Sequence, residues 1–501
     1  MLLLGIDLGT SSVKISVLDV ATQQTIAAVQ YPDAELDIIS TQPGWAEQSP
    51  DLWWENVKQA ILKCNATNLY DPHDIAAIGI AYQMHGLVLV DKEHHVLRNS
   101  IIWCDSRAVE IGDDAFANIG TEKCLYHLLN SPGNFTASKL AWVKENEPAL
   151  YEKIDKVMLP GDFIAMKLTG DSTTTVSALS EGIFWDYRSN SISSDVTGYF
   201  GFKHSLFPQI KPVFTPHGFL KETVATRLSL KKRIPVSYKA GDQLNNAFSL
   251  NVLQPGEVAA TAGTSGVIYG VSDQLEYDEQ SRINSFAHVN HHTNKNRIGV
   301  LLCINGAGIF NRWVKNLAGT NRSYAELNKA ASGISPGSNG LLALPFGNGA
   351  ERMLNNRQIG AHFQNLDFNI HTDAHLVRAA QEGVAFAFRY GLDIMRENGI
   401  YPTIIRAAKA NLFLSDVFTT SFVNSTGVAI EFYNGDGSYG AALGAGVGAG
   451  IYTDATEAFS NRKAVSYVEP NEKDDLEELY QNWKVFLNEK LNSVTEPIHI
   501  V

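Results

Sequence analysis

The sequence predicts an α/β protein folded as two closely packed halves. Three observations carry this reading. A strand–turn–strand hairpin with Gly-Thr at its tip occurs twice, as GIDLGTSSVKI near residue 7 and TAGTSGVIY near residue 264. Strand-like apolar runs alternate with segments of helical periodicity. The chain has 501 residues, where one domain usually takes ~100–200. The division falls near residues 245–255 and gives halves of 1–247 and 248–501. No Pro- or Ser-rich linker marks it, so the halves should pack directly.

The first half opens β-β-β-α-β. LLLGID and VKISVLD are the strands joined by the turn GTSS, and TIAAVQY is the third, since apolar runs broken by Gly, Ser and Thr read as hairpins. In SPDLWWENVKQAILKC, Ser49 is a helix N-cap and Pro50 the first helical residue, the positions those residues favour. Trp53, Val57, Ala60 and Ile61 then share a face. IAAIGIAYQ is a strand ending at Met84-His85-Gly86, and LVLVD and SIIWCD are two short ones. From about 115 to 230 the pattern is mostly helical.

The second half begins with VAATAGTSGVIYGV, again strand, Gly/Thr/Ser turn and strand. Residues 374–398 form the clearest long helix, with Leu376, Ala380, Val384, Ala387 and Ile394 on one face and Gly399 as its stop, as helix ends favour. VAIEFY is a strand, GDGSYGAALGAGVGAGIY a turn into a small-residue helix, and NEKDDLEELYQNWKVFLNEKL a charged terminal helix.

Composition removes several classes. Hydrophobic residues make up 45% and charged residues 19%, which excludes disorder as the main state. Forty basic against 53 acidic residues leave a net charge of −13, which repels nucleic-acid phosphates and anionic membranes. No run approaches the ~18–20 apolar residues of a spanning helix. Cys64, Cys104, Cys124 and Cys303 are scattered without CxxC spacing. A reduced, cytoplasmic protein without structural zinc is expected.

The two hairpin tips, Gly9-Thr10-Ser11-Ser12 and Ala262-Gly263-Thr264-Ser265-Gly266, present backbone N–H groups and hydroxyls that can cradle phosphate. Asp7 ends a buried strand, an expensive place for a carboxylate without a cation or donors; Mg²⁺ held through water suits it. A plain tight turn with Asp7 satisfied by backbone fits equally. Asp242, in AGDQ about twenty residues before the second hairpin, stands in a small-residue loop, where Asp is most often a turn residue. No Gly-Lys pair exists, so a Walker A loop is excluded. Gly435–Gly440 matches GxGxxG but lacks the acidic partner of a dinucleotide site. His85 follows a strand and is either a ligand contact or a satisfied structural histidine. His288, His291 and His292 have no ligand partners at zinc spacing.

In order, GIDLGTSSVK, GWAEQSPDLWW, QMHG, IIWCDSRA, FTASKLAWVKENEP, AGDQ, GTSG and GAALGAG resemble the FGGY carbohydrate kinases of the sugar kinase/heat-shock protein 70/actin superfamily. The resemblance spans roughly residues 1–450, and QMHG with IIWxDxRA is most similar to the D-xylulose kinases of that family. It implies two actin/ribonuclease H-like domains around a central cleft, the N-terminal one binding sugar and the C-terminal one nucleotide. It implies ATP-dependent phosphorylation of D-xylulose at its terminal hydroxyl, with ATP and Mg²⁺ as cofactors. By position, Asp242 matches the catalytic base, while Met84, His85 and Gln243, beside Asp242, match sugar contacts. Thr10, Ser11, Gly263 and Thr264 match the nucleotide clasp, and Asp7 the magnesium-associated carboxylate. Partners are then a small-molecule sugar and ATP, with no nucleic acid and no membrane, and with a homodimer as one expectation. The alternatives are an FGGY kinase for ribulose, fuculose or glycerol, or a non-catalytic actin-like nucleotide or sugar sensor.

The chain departs from the family where many members carry Gly-Gly-Gly-Ala beside adenosine. It reads Ile405-Arg-Ala-Ala-Lys-Ala-Asn-Leu-Phe413, and Asn365 and Gln381 stand where glycine and an apolar residue are expected. Without the flat glycine backbone, donor affinity is expected to rest on the phosphates, with loose discrimination between bases.

Overall fold

A computed structural model describes residues 1–319, 321–471 and 476–494. The first sheet contains β1 (Leu2–Leu8), β2 (Val13–Asp19), β3 (Thr25–Tyr31), β4 (Ile75–Tyr82), β5 (Phe214–Phe219) and β6 (Pro235–Gly241), in the order β5-β6-β4-β1-β2-β3. The second contains β7 (Val258–Ala262), β8 (Gly266–Ser272), β9 (Asn284–Ala287), β10 (Ile298–Ile304), β11 (Ile404–Ala408), β12 (Ala429–Tyr433) and β13 (Ser466–Val468), ordered β9-β10-β8-β7-β11-β12-β13. Each sheet holds the same five-strand unit. Two antiparallel ladders, β3-β2-β1 or β10-β8-β7, continue into two parallel ones, β1-β4-β6 or β7-β11-β12. The repeated hairpin is therefore the visible part of a repeated sheet.

β1 is apolar on both faces because both are covered. Leu4, Ile6 and Leu8 pack in one cluster with Trp53, Val57 and Ile61 of α1 (Pro50–Asn65). Ser49 caps α1 by accepting from the Leu52 N–H at 3.3 Å. In the region 115–230, helices predominate as expected, among them α2 (Thr136–Asn146), α3 (Pro160–Thr169) and α4 (Val176–Glu181).

Two details differ from the sequence reading. The segment ahead of Asp242 is not a loop: β6 runs to Gly241, and Asp242 opens α5 (Asp242–Ser249). The expected division at residue 247 thus falls inside α5. β6 escapes a hydrophobicity reading because Lys239 interrupts it. Lys239 is 1% exposed there and pairs with equally buried Asp162 of α3 at 2.5 Å, while also donating to the Thr173 carbonyl at 2.7 Å. Lys239→Met is expected to cost about 3–5 kcal/mol in urea unfolding, because Asp162 keeps a buried charge without its partner. A loss below about 1 kcal/mol would show that the pair is not the anchor of this strand.

In the second half, α6 (Ala307–Ala318), α7 (Tyr324–Ser332), α8 (Asp373–Glu397) and α9 (Asp416–Thr426) flank the sheet. Then α10 (Gly437–Gly448), the expected small-residue helix, lies not on its own sheet but against β1, β2, β4 and β6 of the first. The approach is backbone to backbone. A Cβ on Gly5 would stand 1.9 Å from the Ser438 carbonyl oxygen, and one on Gly79 1.9 Å from that of Ala441. Real Cβ atoms never come so close, so only glycine admits the helix. The edge strand β9 is likewise covered by the first half. Asn130 donates to Ser285 O and accepts from Ser285 N, and Ser180 Oγ accepts from Ala287 N at 2.9 Å. Side chains thus occupy backbone groups that would otherwise invite a foreign strand. The terminal helix α11 (Glu477–Ser493) buries Tyr480, Trp483 and Phe486; residues 472–475, where that helix was expected to begin, lie outside the described residues. Among the described residues no helix is long and apolar enough to cross a membrane.

Candidate active site

Each hairpin tip is held by groups from outside its own turn, side chains at the first and backbone N–H groups at the second. At the first, Gly9 N–H donates to Ser12 O at 3.0 Å. The Thr10 hydroxyl donates to Gln83 Oε1 at 3.2 Å and accepts from the Trp103 indole at 2.9 Å, and Gln48 donates to the Thr10 carbonyl at 2.8 Å. Ser11 is exposed beside them. At the second, the first turn of α6 donates from Gly308 and Ile309 to the carbonyls of Gly263 and Thr264, both at 3.0 Å. Gly263 and Thr264 open onto a cavity of about 340 Å³, walled by α6, α7, α8 and the turn Asn411–Leu414. In that turn Asn411 adopts φ +54°; Asn tolerates the left-handed region that glycine otherwise fills.

Asp7 and Asp242 come together where the halves meet. Asp7 leaves the end of β1, opposite Lys14 on β2 and Ala81 on β4. Its carboxylate fills the space a side chain at residue 437 would need: a Cβ there would lie 2.5 Å from Asp7 Oδ2. Of the GxGxxG glycines, Gly437 is thus accounted for by Asp7, Gly440 by its packing on Ser249 and Asn245, and Gly435 by its φ of +124°. Burial first, and then Asp436, push the Asp7 carboxyl up to about 6, against the pull of Lys14. Asp242, in the first turn of α5, is pushed up to about 7, by burial first and then by Asp7, with the Gln243 amides opposing. Both carboxyls are partly accessible yet enclosed by protein on their other sides. The helix that carries Asp242 is tied to the second sheet by Asn246, which donates to the Thr261 hydroxyl at 3.0 Å.

On the other side of Asp242 lie the QMHG residues. Met84 is buried, with its Cγ 2.6 Å from where a Cβ on Gly241 would stand. His85 turns the chain at φ +61°. Its Nδ1–H donates to the Glu181 carbonyl at 2.9 Å, and its ring meets Phe135 edge-on at 4.8 Å and Phe286 of the second half at 5.4 Å. Burial first, then Lys139, lower its pKa to about 3. The ring is therefore neutral, and with Nδ1 protonated its Nε2 is an acceptor. Lys139 of α2 fixes this corner by donating to the carbonyls of His85 at 3.1 Å and Ile102 at 3.0 Å. The distant candidate His288 is spent structurally, between the Tyr269 hydroxyl at 2.8 Å and the Val252 carbonyl at 3.0 Å.

Several residues here escape the sequence reading. Trp103 stands half exposed against Thr10; the motif IIWCDSRA marked the segment, but nothing in it singled out the indole. Phe286 and Lys139 reach the site only through tertiary packing. Glu181 is fully buried next to Gly241, with Tyr82 as its polar neighbour, and no motif announces it.

Two equivalent sheets with a Gly-Thr hairpin each, meeting at a carboxylate pair, define a protein of the sugar kinase/heat-shock protein 70/actin superfamily. Residues 2–249 match the N-terminal domain of the FGGY family of carbohydrate kinases. The first half of the chain belongs to that family. It is 29% identical over 412 residues to the xylulose kinase of Haemophilus influenzae, covering 80% of this chain and 81% of that one. With the xylulose kinase of Bacillus subtilis it shares 28% over 480 residues, covering 93% and 92%. It superposes on a solved structure from Brucella ovis, described as a xyloylose kinase, with a TM-score of 0.90, 26% identity and coverage of 99% and 100%.

Proposed function

We propose that this carbohydrate kinase transfers the γ-phosphoryl group of ATP to the terminal hydroxyl of D-xylulose, with Asp242 as general base. The observation that carries the reading is the place of Asp242: a carboxyl held near neutrality, between the QMHG side and the hairpin side. The xylulose kinases among its relatives supply the choice of sugar. In this reading the first half binds sugar through Met84, His85 and Gln243, and the second binds nucleotide through Gly263, Thr264 and the adjoining cavity. That cavity is of the size ligand pockets usually have. Thr10 and Ser11 approach the phosphates from the opposite hairpin.

Phosphoryl transfer asks for alignment and charge neutralisation more than covalent chemistry. Asp242 accepts the hydroxyl proton as the oxygen attacks, and the neutral His85 ring offers Nε2 to a sugar hydroxyl. Two enclosed carboxyls, of which Asp7 raises Asp242, fit a divalent cation, and Asp7 would hold Mg²⁺, which supplies neutralisation of phosphate charge when bound. Meeting of the halves excludes water and so limits idle hydrolysis.

A coupled ADP-release assay across D-xylulose, L-xylulose, D-ribulose, L-ribulose, L-fuculose and glycerol tests the sugar; a higher kcat/KM for any other substrate overturns D-xylulose. His85→Ala is expected to raise KM for the sugar about 2- to 12-fold, the worth of one hydrogen bond, with KM for ATP unchanged. An unchanged sugar KM would make His85 purely structural. The free thiols of all four cysteines support a cytoplasmic location, and light scattering reads whether the enzyme is the expected homodimer.

A further inference from the structure

The cavity beside Gly263 and Thr264 is polar in an organised way. Gln381 of α8 is fully buried behind it. Its Nε2 donates to Asn328 Oδ1 at 2.9 Å and reaches Asn311 Oδ1 at 3.5 Å, and its Oε1 accepts from the Ser415 hydroxyl at 2.7 Å. Asn328, Asn311 and Ser415 all line the cavity, and so does Arg312. A carboxamide whose oxygen is engaged has its NH₂ left to offer, and a guanidinium has no acceptor at all. Gln381 therefore occupies the oxygens of two asparagines from two different helices and leaves their amino groups for a ligand. With Arg312 beside them, these three side chains offer a ligand donors, while Thr264, Tyr324 and Asn411 elsewhere on the wall carry side-chain oxygens.

We infer that Gln381 sets a donor face in the nucleotide cavity, so that the enzyme reads the ring and carbonyl acceptors of a purine and accepts 6-oxopurine triphosphates as phosphoryl donors alongside ATP. The inference rests on the reading that this cavity holds the nucleotide. A 6-oxopurine presents two neighbouring acceptors, O6 and N7, which paired donors match. The 6-amino group of adenine is itself a donor and finds no free acceptor on the two held asparagines or Arg312. A base is rejected strongly only where a site has a dedicated partner for a group it lacks, and Asn411 on the wall can present either its oxygen to an amino group or its NH₂ to a carbonyl. The apolar residue expected at position 381 from the family pattern could not hold the asparagines in this orientation.

The test is kcat/KM for ATP, GTP and ITP at saturating sugar, in the wild type, in Gln381→Leu and in Gln381→Glu. ITP and GTP are expected within about tenfold of ATP in the wild type. Gln381→Leu frees both amides to turn, and Gln381→Glu draws their NH₂ groups inward, so both variants should raise the ATP-to-ITP ratio several-fold, with sugar KM unchanged. Calorimetric binding of ADP and IDP gives the same comparison without turnover and covers a variant too slow to assay. A wild-type preference for ATP above roughly 10³-fold overturns the inference, and so does a ratio that neither variant moves. Asn411→Trp, which fills the cavity, separates this from the underlying reading. If that variant loses nucleotide binding, the cavity is the nucleotide site whatever its selectivity; if it binds ADP as well as wild type does, the site itself is misplaced and the inference falls with it.

Discussion

Asp242→Asn is expected to lower kcat by about 10²–10⁴, the usual worth of a general base, while sugar KM stays within a few-fold. Asparagine keeps the size of the side chain and its place in the first turn of α5, so the sugar still meets Met84 and His85. What it removes is the ability to accept the hydroxyl proton as the oxygen attacks phosphorus. The loss therefore falls on kcat, as expected for an interaction made only in the transition state. A variant retaining more than roughly a tenth of wild-type kcat would show that Asp242 is not the base.

The second large effect is on pH. Burial and the neighbouring Asp7 raise the Asp242 carboxyl to about 7. A base works only when unprotonated, so kcat/KM for the sugar should rise with pH up to about 7. Below that it should fall by about tenfold per unit, reaching about a hundredfold loss at pH 5. The same raised value makes the carboxylate a stronger base than an ordinary aspartate, so the cost at acid pH accompanies a gain at neutral pH. Asp7 titrates beside it, near 6, so the limb belongs to the pair. In Asp242→Asn the residual rate should lack the limb near 7. A wild-type profile flat from pH 8 to pH 5 would rule out a base in this environment.

Much of the fold was legible because its signals are local. The twin hairpins, the α1 cap at Ser49 and the long periodic α8 can each be read within a short window. β6 was not, because Lys239 is tolerable in a buried strand only when Asp162, far away in the chain, neutralises it. Misreading β6 misplaced Asp242 in a loop, although its residue number was found. Trp103, Lys139 and Phe286 were missed for a related reason: each reaches the site through contacts between distant segments. The polarity of the base cavity was visible only as a departure at Gln381. What that residue does depends on Asn311, Asn328 and Ser415, which no sequence window contains together.

The glycine-mediated seat of α10 on the first sheet bears on how the chain is made. β1 leaves the ribosome more than four hundred residues ahead of the helix that covers its Leu3–Gly5–Asp7 face, Gly437–Gly448. At ~5–20 residues per second, about 10–40 s separate the emergence of the first half from that of its cover. Throughout that interval a sheet face with glycine-thin backbone lies open to water and to other chains. Transiently exposed surface of this kind makes folding intermediates prone to aggregate. A fragment ending at residue 247 should aggregate when produced alone and dissolve when the second half is supplied with it.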